Sequence, residues 1–486
     1  MIRRPMRWLV VGAGLASLAG CAFGPSGQPP TMPEPSRYAA SVSPPRQGPA
    51  AGPELVTARA PMAAWWTQFG TPALDALVTQ AWAANPDLAA ATHRLEAARE
   101  LLRAQTGATT LPSLDLGGQA VRQRALGLPQ QLPPPLPSLP QTSIYDTFVG
   151  QAQVRYTFDL FGSVRHRNRA LADRVEQQAA RWRAAQAALA ANVVSGALTL
   201  SVLQARMQVL ESIIDSLRQD EAQAVRQQAL GAVAQTAAWD ARRQAESVAA
   251  QLPALRAQVL ATRHALAVLL GRTPDQAPVA IPFGQLHLPA RIPVLVPSAL
   301  LASRADVQAA QAALEAAAQD VGAATADLFP SLTLSAAMGR AGYDWSSALS
   351  PGGAIWSVAG GLTAPLFHGG ALRAQRRASQ QAYAAAEDDY RSTVLAAFRE
   401  VADALSSLEQ AGAAQAGMDA AEQAAQRIAA DMGRRAELGA MPASSARAAQ
   451  RQAALSSLDA LDVRVRRLLD AARLFQAMGT GAPAAQ

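Results

Sequence analysis

Residues 148–165 read FVGQAQVRYTFDLFGSVR. Phe148, Ala152, Val154, Tyr156 and Phe158 take one set of alternate positions, and Gln151, Gln153, Arg155 and Thr157 take the other. Period two marks a strand with one apolar and one polar face. Asp159-Leu160-Phe161-Gly162 breaks the alternation, and no proline follows from Arg165 to Leu230. Within that stretch Val193, Gly196, Leu200, Leu203, Met207, Leu210, Ile214 and Leu217 step by alternating threes and fours. That spacing is a coiled-coil seam. A helix over 165–230 would be about 100 Å long, so it must lie in a bundle or a helical cylinder.

The same plan occurs twice. Asn85-Pro86-Asp87-Leu88 is echoed by Arg304-Ala305-Asp306-Val307, and Leu111-Pro112-Ser113-Leu114 by Phe329-Pro330-Ser331-Leu332. Leu160-Phe161-Gly162 is echoed by Leu366-Phe367-His368-Gly369, Leu230-Gly231-Ala232 by Leu438-Gly439-Ala440, and Leu270-Gly271 by Met478-Gly479. Five landmarks in one order define two tandem repeats. The halves differ in one loop, which is Pro-rich from Leu126 to Gln141 in the first and runs only from Ala341 to Gly353 in the second. Each half carries two alternating segments, at about 113–121 and 148–158 and at about 331–339 and 354–364. Each then carries two helices, at about 165–230 and 236–270 (interrupted near Pro253) and at about 371–438 and 444–478. Half of the residues are apolar, yet only 5% are aromatic. Such an alanine-rich composition suits long, closely packed helices.

The N-terminus reads as an address. Residues 1–21, MIRRPMRWLVVGAGLASLAGC, have a basic start, an apolar stretch of about 13 residues and a small-residue end, the pattern of a secretory signal. Leu18-Ala19-Gly20-Cys21 resembles a bacterial lipobox, and Cys21 is the only cysteine in the chain. A lone cysteine cannot form an internal disulfide, so the reading is lipidation at Cys21, with anchoring by several acyl chains. The resemblance to bacterial lipoproteins also implies passage to the outer membrane, since Ala22 rather than an aspartate follows the cysteine. Pro, Gly and Ser crowd 24–53, which reads as a flexible or extended tether. The expected boundaries are a signal at 1–20, a lipidated tether at 21–61, repeats at 62–280 and 281–479, and a disordered tail at 480–486.

With that address, the four alternating segments read as membrane strands rather than an ordinary soluble sheet. No run of 18 apolar residues occurs, so no transmembrane helix is expected. Open strand edges cannot face lipid, and known bacterial barrels have at least eight strands. A chain with four must pool them with copies of itself, and three copies give twelve strands with a lumen.

This layout resembles the TolC-type outer-membrane factors, closest to the NodT-like efflux lipoproteins. The residues that carry the resemblance are Trp66-Thr67-Gln68-Phe69 with Leu74, Leu77 and Asn85-Pro86-Asp87-Leu88, and Leu300-Leu301-Ala302-Ser303-Arg304-Ala305-Asp306-Val307. Leu328-Phe329-Pro330-Ser331-Leu332 and the paired Leu-Gly turns add to them. It covers about 62–479. It implies a mostly helical fold with a membrane β part: a homotrimer with a 12-stranded β-barrel and a periplasmic α-barrel. It also implies a periplasmic adaptor docked on the helix tips and an inner-membrane pump of the RND class. By motif match the tips are Leu230, Gly231, Ala232, Leu438, Gly439 and Ala440. Members of the family often carry acids just after the second tip, but Ser444-Ser445-Ala446-Arg447-Ala448 has none. Asp240 is then the nearest candidate for a lumen gate, where three copies would favour cations; a plain surface carboxylate is the alternative.

The formal charge of +7 falls to +4 once Arg3, Arg4 and Arg7 leave with the signal, and no basic patch with interleaved aromatics marks a nucleic-acid surface. His93, His166, His264, His287 and His368 show no metal-ligand spacing. No phosphate loop or nucleophile elbow appears, so neither catalysis nor a cofactor is expected. The functional expectation is a passive exit duct for drugs or toxic solutes. The alternatives are a duct for secreted polypeptides and a lipid-anchored periplasmic scaffold with no pore.

Overall fold

The computed structural model describes residues 24–32, 38, 53–60, 62–126 and 142–479. In chain order the elements are β1 (Glu54–Ala58), α1 (Pro72–Ala84), α2 (Pro86–Thr110), β2 (Ser113–Leu126), β3 (Thr142–Phe158), α3 (Ser163–Ala229), α4 (Gln235–Ala249) and α5 (Leu252–Leu269). There follow β4 (Arg291–Leu295), α6 (Pro297–Ser303), α7 (Ala305–Ala326), β5 (Ser331–Gly342), α8 (Trp345–Leu349), β6 (Ala354–Thr363), α9 (Ala371–Glu437) and α10 (Ala443–Ala477).

The two long helices are each 67 residues, and Ala371 lies 208 positions after Ser163. The return helices begin at Gln235 and Ala443, again 208 apart. In the first half the return is broken at Ala250–Gln251, with Pro253 in the first turn of α5. Proline lacks an N–H and fits only the first turn of a helix. Leu461 stands at the corresponding place in the second half, and α10 runs unbroken for 35 residues.

Chain contacts divide the fold into two compact units that do not follow the sequence halves; each draws on both. One holds Glu96–Glu176, Ala312–Asp388 and, of the N-terminal stretch, residues 24–29. Its sheet has the order β2-β3-β5-β6, antiparallel throughout, and β2 and β6 are its free edges. Residues 24–32 were expected to be a flexible or extended tether. At Gly24 and Gly27 the chain lies against α7: a Cβ on Gly24 would stand 3.1 Å from the backbone of Gly322, and one on Gly27 3.2 Å from Ala318. The strands also outrun their alternating cores, since β2 continues to Leu126 and β5 to Gly342. The loop after β5 contains the short helix α8, whose N-terminus Asp344 caps through Ser347 N at 2.7 Å.

The other unit holds Gln177–Gln311 and the described residues of 30–95 and 389–479. Its core is mostly aliphatic, with one aromatic cluster. Trp65 stacks on Phe475 at 5.3 Å, and Trp66 meets Trp82 edge-on at 5.1 Å while its Nε1 donates to Asp75 at 2.9 Å. The coiled-coil residues Val193, Leu200, Leu210, Ile214 and Leu217 of α3 are buried, as are Leu461, Val465, Leu468, Ala472 and Phe475 of α10. An 18-residue window of α3 has mean hydropathy 1.5, enough to cross a membrane by length and composition, but 61% of it is buried inside the protein. Its apolarity is that of a bundle core, which a search for unbroken apolar runs does not detect.

The two halves close on the same device. Asn85 Nδ2 donates to the carbonyl of Leu269 at the end of α5 (3.0 Å), and Arg304 Nη1 donates to that of Ala477 at the end of α10 (2.8 Å). Gly271 and Gly479 follow those ends with φ of +67° and +72°. Burial works against the charge of Arg304, but ion pairs to Asp306 (2.6 Å) and Glu400 (2.7 Å) outweigh it and raise its pKa. This unit also holds a two-stranded parallel sheet, β1 with β4, that the sequence reading did not expect.

Candidate membrane sheet and helix tips

The register turns the alternation of single strands into faces of a sheet. Leu114 pairs with Val154, Val154 with Ala336 and Ala336 with Val358. Two positions along, Leu116, Ala152, Met338 and Trp356 form the next row. On the opposite face lie Asp115, Gln153, Ala337 and Ser357, and then Ser113, Arg155, Ser335 and Ala359. The apolar face is bare: Leu116 is 87% exposed, Trp356 80% and Met338 70%. So large an exposed apolar surface marks a partner or a membrane.

Its height fits lipid. From the row of Phe158 to that of Phe148 is ten residues, about 34 Å along the strand. Tilted by about 40°, this spans roughly 26 Å, close to the apolar band of outer-membrane barrels. Beyond Phe148 the same face carries Arg122 and Asp146, paired across the strands at 3.7 Å. Aromatic rings gather at that end: Tyr145 meets Tyr343 at 5.9 Å, and Phe148 meets Trp345 at 4.8 Å. Arg340 shares the apolar face, but its Nη1 donates to the carbonyls of Leu349 and Ser350, so the charge is carried toward the loop.

The helix tips are twins. After α3, Gly231 has φ +73°, Ala232 N donates to Gln227 O (2.8 Å) and Gly231 N to Gln228 O (2.9 Å). After α9, Gly439 has φ +73°, Ala440 N donates to Arg435 O (2.8 Å) and Gly439 N to Ala436 O (3.0 Å). This paired bonding is the Schellman ending, and glycine takes its left-handed residue without steric cost. Leu230 and Leu438 are each 84% exposed, and a Cβ on either glycine would meet nothing within 4 Å. The turns therefore hold two leucines in solvent with no packing reason in the chain.

Asp240 lies on the exposed surface of α4. Hydrogen bonds from Arg243 (2.7 Å) and Gln244 (2.7 Å) hold its pKa below the usual carboxylate value. Arg447, in the stretch without acids, is not unpaired: its guanidinium meets Asp220 of α3 at 2.5 Å, and Arg451 meets the same carboxylate at 2.6 Å. Asp220 lies upstream of the first turn, on the other long helix, so the local sequence after the second turn does not reveal it. Cys21 falls outside the described residues. Among the described residues no group of three or more His, Cys, Asp or Glu side chains could hold a metal ion.

A sheet with a lipid-height apolar face and two helices of 67 residues are the elements of an outer-membrane channel. The chain belongs to the outer membrane efflux protein family, whose model matches residues 77–272 and 296–480. It is 26% identical over 398 residues to nodulation protein T of Rhizobium leguminosarum bv. trifolii, covering 81% of this chain and 80% of the relative. It is 32% identical over 358 residues to the pyoverdine export outer membrane protein OpmQ of Pseudomonas putida, covering 71% and 72%. Among solved structures, the outer-membrane channel OprN superposes with a TM-score of 0.80 at 25% identity, covering 95% of this chain and 99% of that one. The protein is an outer-membrane exit duct of an efflux system.

Proposed function

We propose that three copies of this chain close a 12-stranded barrel over a helical tunnel and pass toxic small solutes out of the cell. The observation that carries this is the four-stranded sheet with two open edges and an exposed apolar face. In lipid every backbone N–H and C=O must be paired, so such edges have to close on copies of themselves. Relatives at 29–32% identity are named for toluene, solvent, antibiotic and pyoverdine export, which supports small solutes over polypeptides as cargo. The exposed turns Leu230-Gly231-Ala232 and Leu438-Gly439-Ala440 dock a periplasmic adaptor, which couples the duct to an inner-membrane pump of the RND class. Asp240 is the acid offered to the lumen; with Arg243 balancing it, its ring should favour cations only weakly. Reversal potentials of wild type and Asp240→Asn in planar bilayers check this: they should nearly coincide, and a clear loss of cation preference in the variant would show an unbalanced ring.

The test of function is resistance. A strain lacking the gene should become sensitive to toxic solutes, and the wild-type gene should restore it. Gly439→Trp should assemble, because the cost of strain at one turn is about 1–3 kcal/mol, yet it should not restore resistance. Full resistance from a normally assembled Gly439→Trp duct would sink the docking assignment.

We also propose that the duct is tethered by lipid on Cys21. Labelled palmitate should enter the wild type and not Cys21→Ser, and equal labelling of both would remove the anchor.

A further inference from the structure

Corresponding residues of the two halves have different surroundings. Phe161, just after β3, stacks on Phe329, just before β5, with ring centroids 4.9 Å apart and planes at 21°. Beside them Asp327 accepts hydrogen bonds from Ser163 Oγ and Arg167 Nη2, each at 2.6 Å. This junction is where β3, the second sheet strand of the first half, meets β5, the first strand of that sheet from the second half. By the sequence repeat, Phe161 corresponds to Phe367 and Phe329 to Leu111. Those two are bare: Phe367 is 88% exposed and Leu111 65%, and Leu366 beside Phe367 is 95% exposed. They stand where β6 ends and where β2 begins, at the two free edges of the sheet.

We propose that Phe367 of one copy seats on Leu111 of the next, so that the junction between chains repeats the one within the chain. The proposal rests on the trimeric reading and adds its contact residues. The occupant is a second copy because each edge carries one half of a junction whose complete form the chain already displays. A ring closes only when unlike surfaces meet head to tail, and β6 and β2 are unlike surfaces. The ionic part of the junction is not repeated: Gln375 corresponds to Arg167 and Thr109 to Asp327. The contact between chains is therefore apolar, and salt should not weaken it, since screening acts on charges.

The experiment uses the full chain with Leu111→Cys and Phe367→Cys, singly and together, in detergent-solubilised membranes. A short bifunctional methanethiosulfonate should give covalent dimers and trimers in the double variant and in neither single one. A double variant that is trimeric by detergent-corrected mass, takes a monofunctional maleimide at both thiols and yet gives no cross-link overturns the seating. It leaves the trimer standing; a monomeric wild type overturns the trimer itself. If the double variant does not assemble, Phe367→Ala decides. Its trimers should dissociate about 5 °C below wild type, at low salt and in 1 M salt alike. An unchanged dissociation temperature, or a shift that 1 M salt abolishes, overturns the proposal.

Discussion

Gly271→Ala is expected to remove most assembled duct from the outer membrane. The glycine follows α5 with φ +67°, and a Cβ there would lie 2.1 Å from the carbonyl oxygen of Ala84. The obstacle is backbone, at the joint where Asn85 caps the same helix, so no side chain can rotate away. Left-handed strain costs about 1–2 kcal/mol, and forcing atoms into a packed site adds about 1–3 kcal/mol. A total of about 2–5 kcal/mol is a large share of the stability of any domain. Gly231→Ala supplies the control: it has nearly the same φ of +73° but nothing within 4 Å of the added carbon, so it should suffer the strain alone. Quantifying outer-membrane protein for both variants checks the argument; equal losses would mean that the close approach to Ala84 carries no weight.

Leu116→Arg is expected to be the most damaging single change on the sheet. Leu116 lies in the middle rows of the apolar face and is 87% exposed. An arginine near the midplane of a barrel costs about 2–4 kcal/mol, and a trimer would carry three. Gln153→Arg, on the opposite face beside Asp115, should fold and insert normally, because in the proposed barrel that face lines the lumen. Heat-modifiable trimer on gels reads both variants. If Gln153→Arg fails and Leu116→Arg inserts, the two faces are assigned the wrong way round.

The features legible in the sequence were periodic. Leu114, Leu116 and their partners announce strands because one face must be apolar along its whole length, and the heptad spacing from Val193 to Leu217 announces a buried helical seam. The repeat was legible because both halves need the same turn glycines at 231 and 439. What escaped was set by contacts between distant residues. The β1–β4 sheet joins two five-residue strands, one with Pro293 at its centre, more than 230 positions apart, and neither is long enough to show a period. The motif around Asn85 was visible as a word, but its work, closing the end of α5, appears only when Leu269 comes beside it. The pairing of Asp220 with Arg447 and Arg451 joins residues 227 and 231 positions apart, and no local rule connects them.

The central claim, a duct closed by copies of this chain, is tested most directly by its mass in detergent. Light scattering with the detergent contribution subtracted should give three times the mature chain, because four strands leave two edges that lipid cannot satisfy. A single, monodisperse species of one chain's mass would contradict the account.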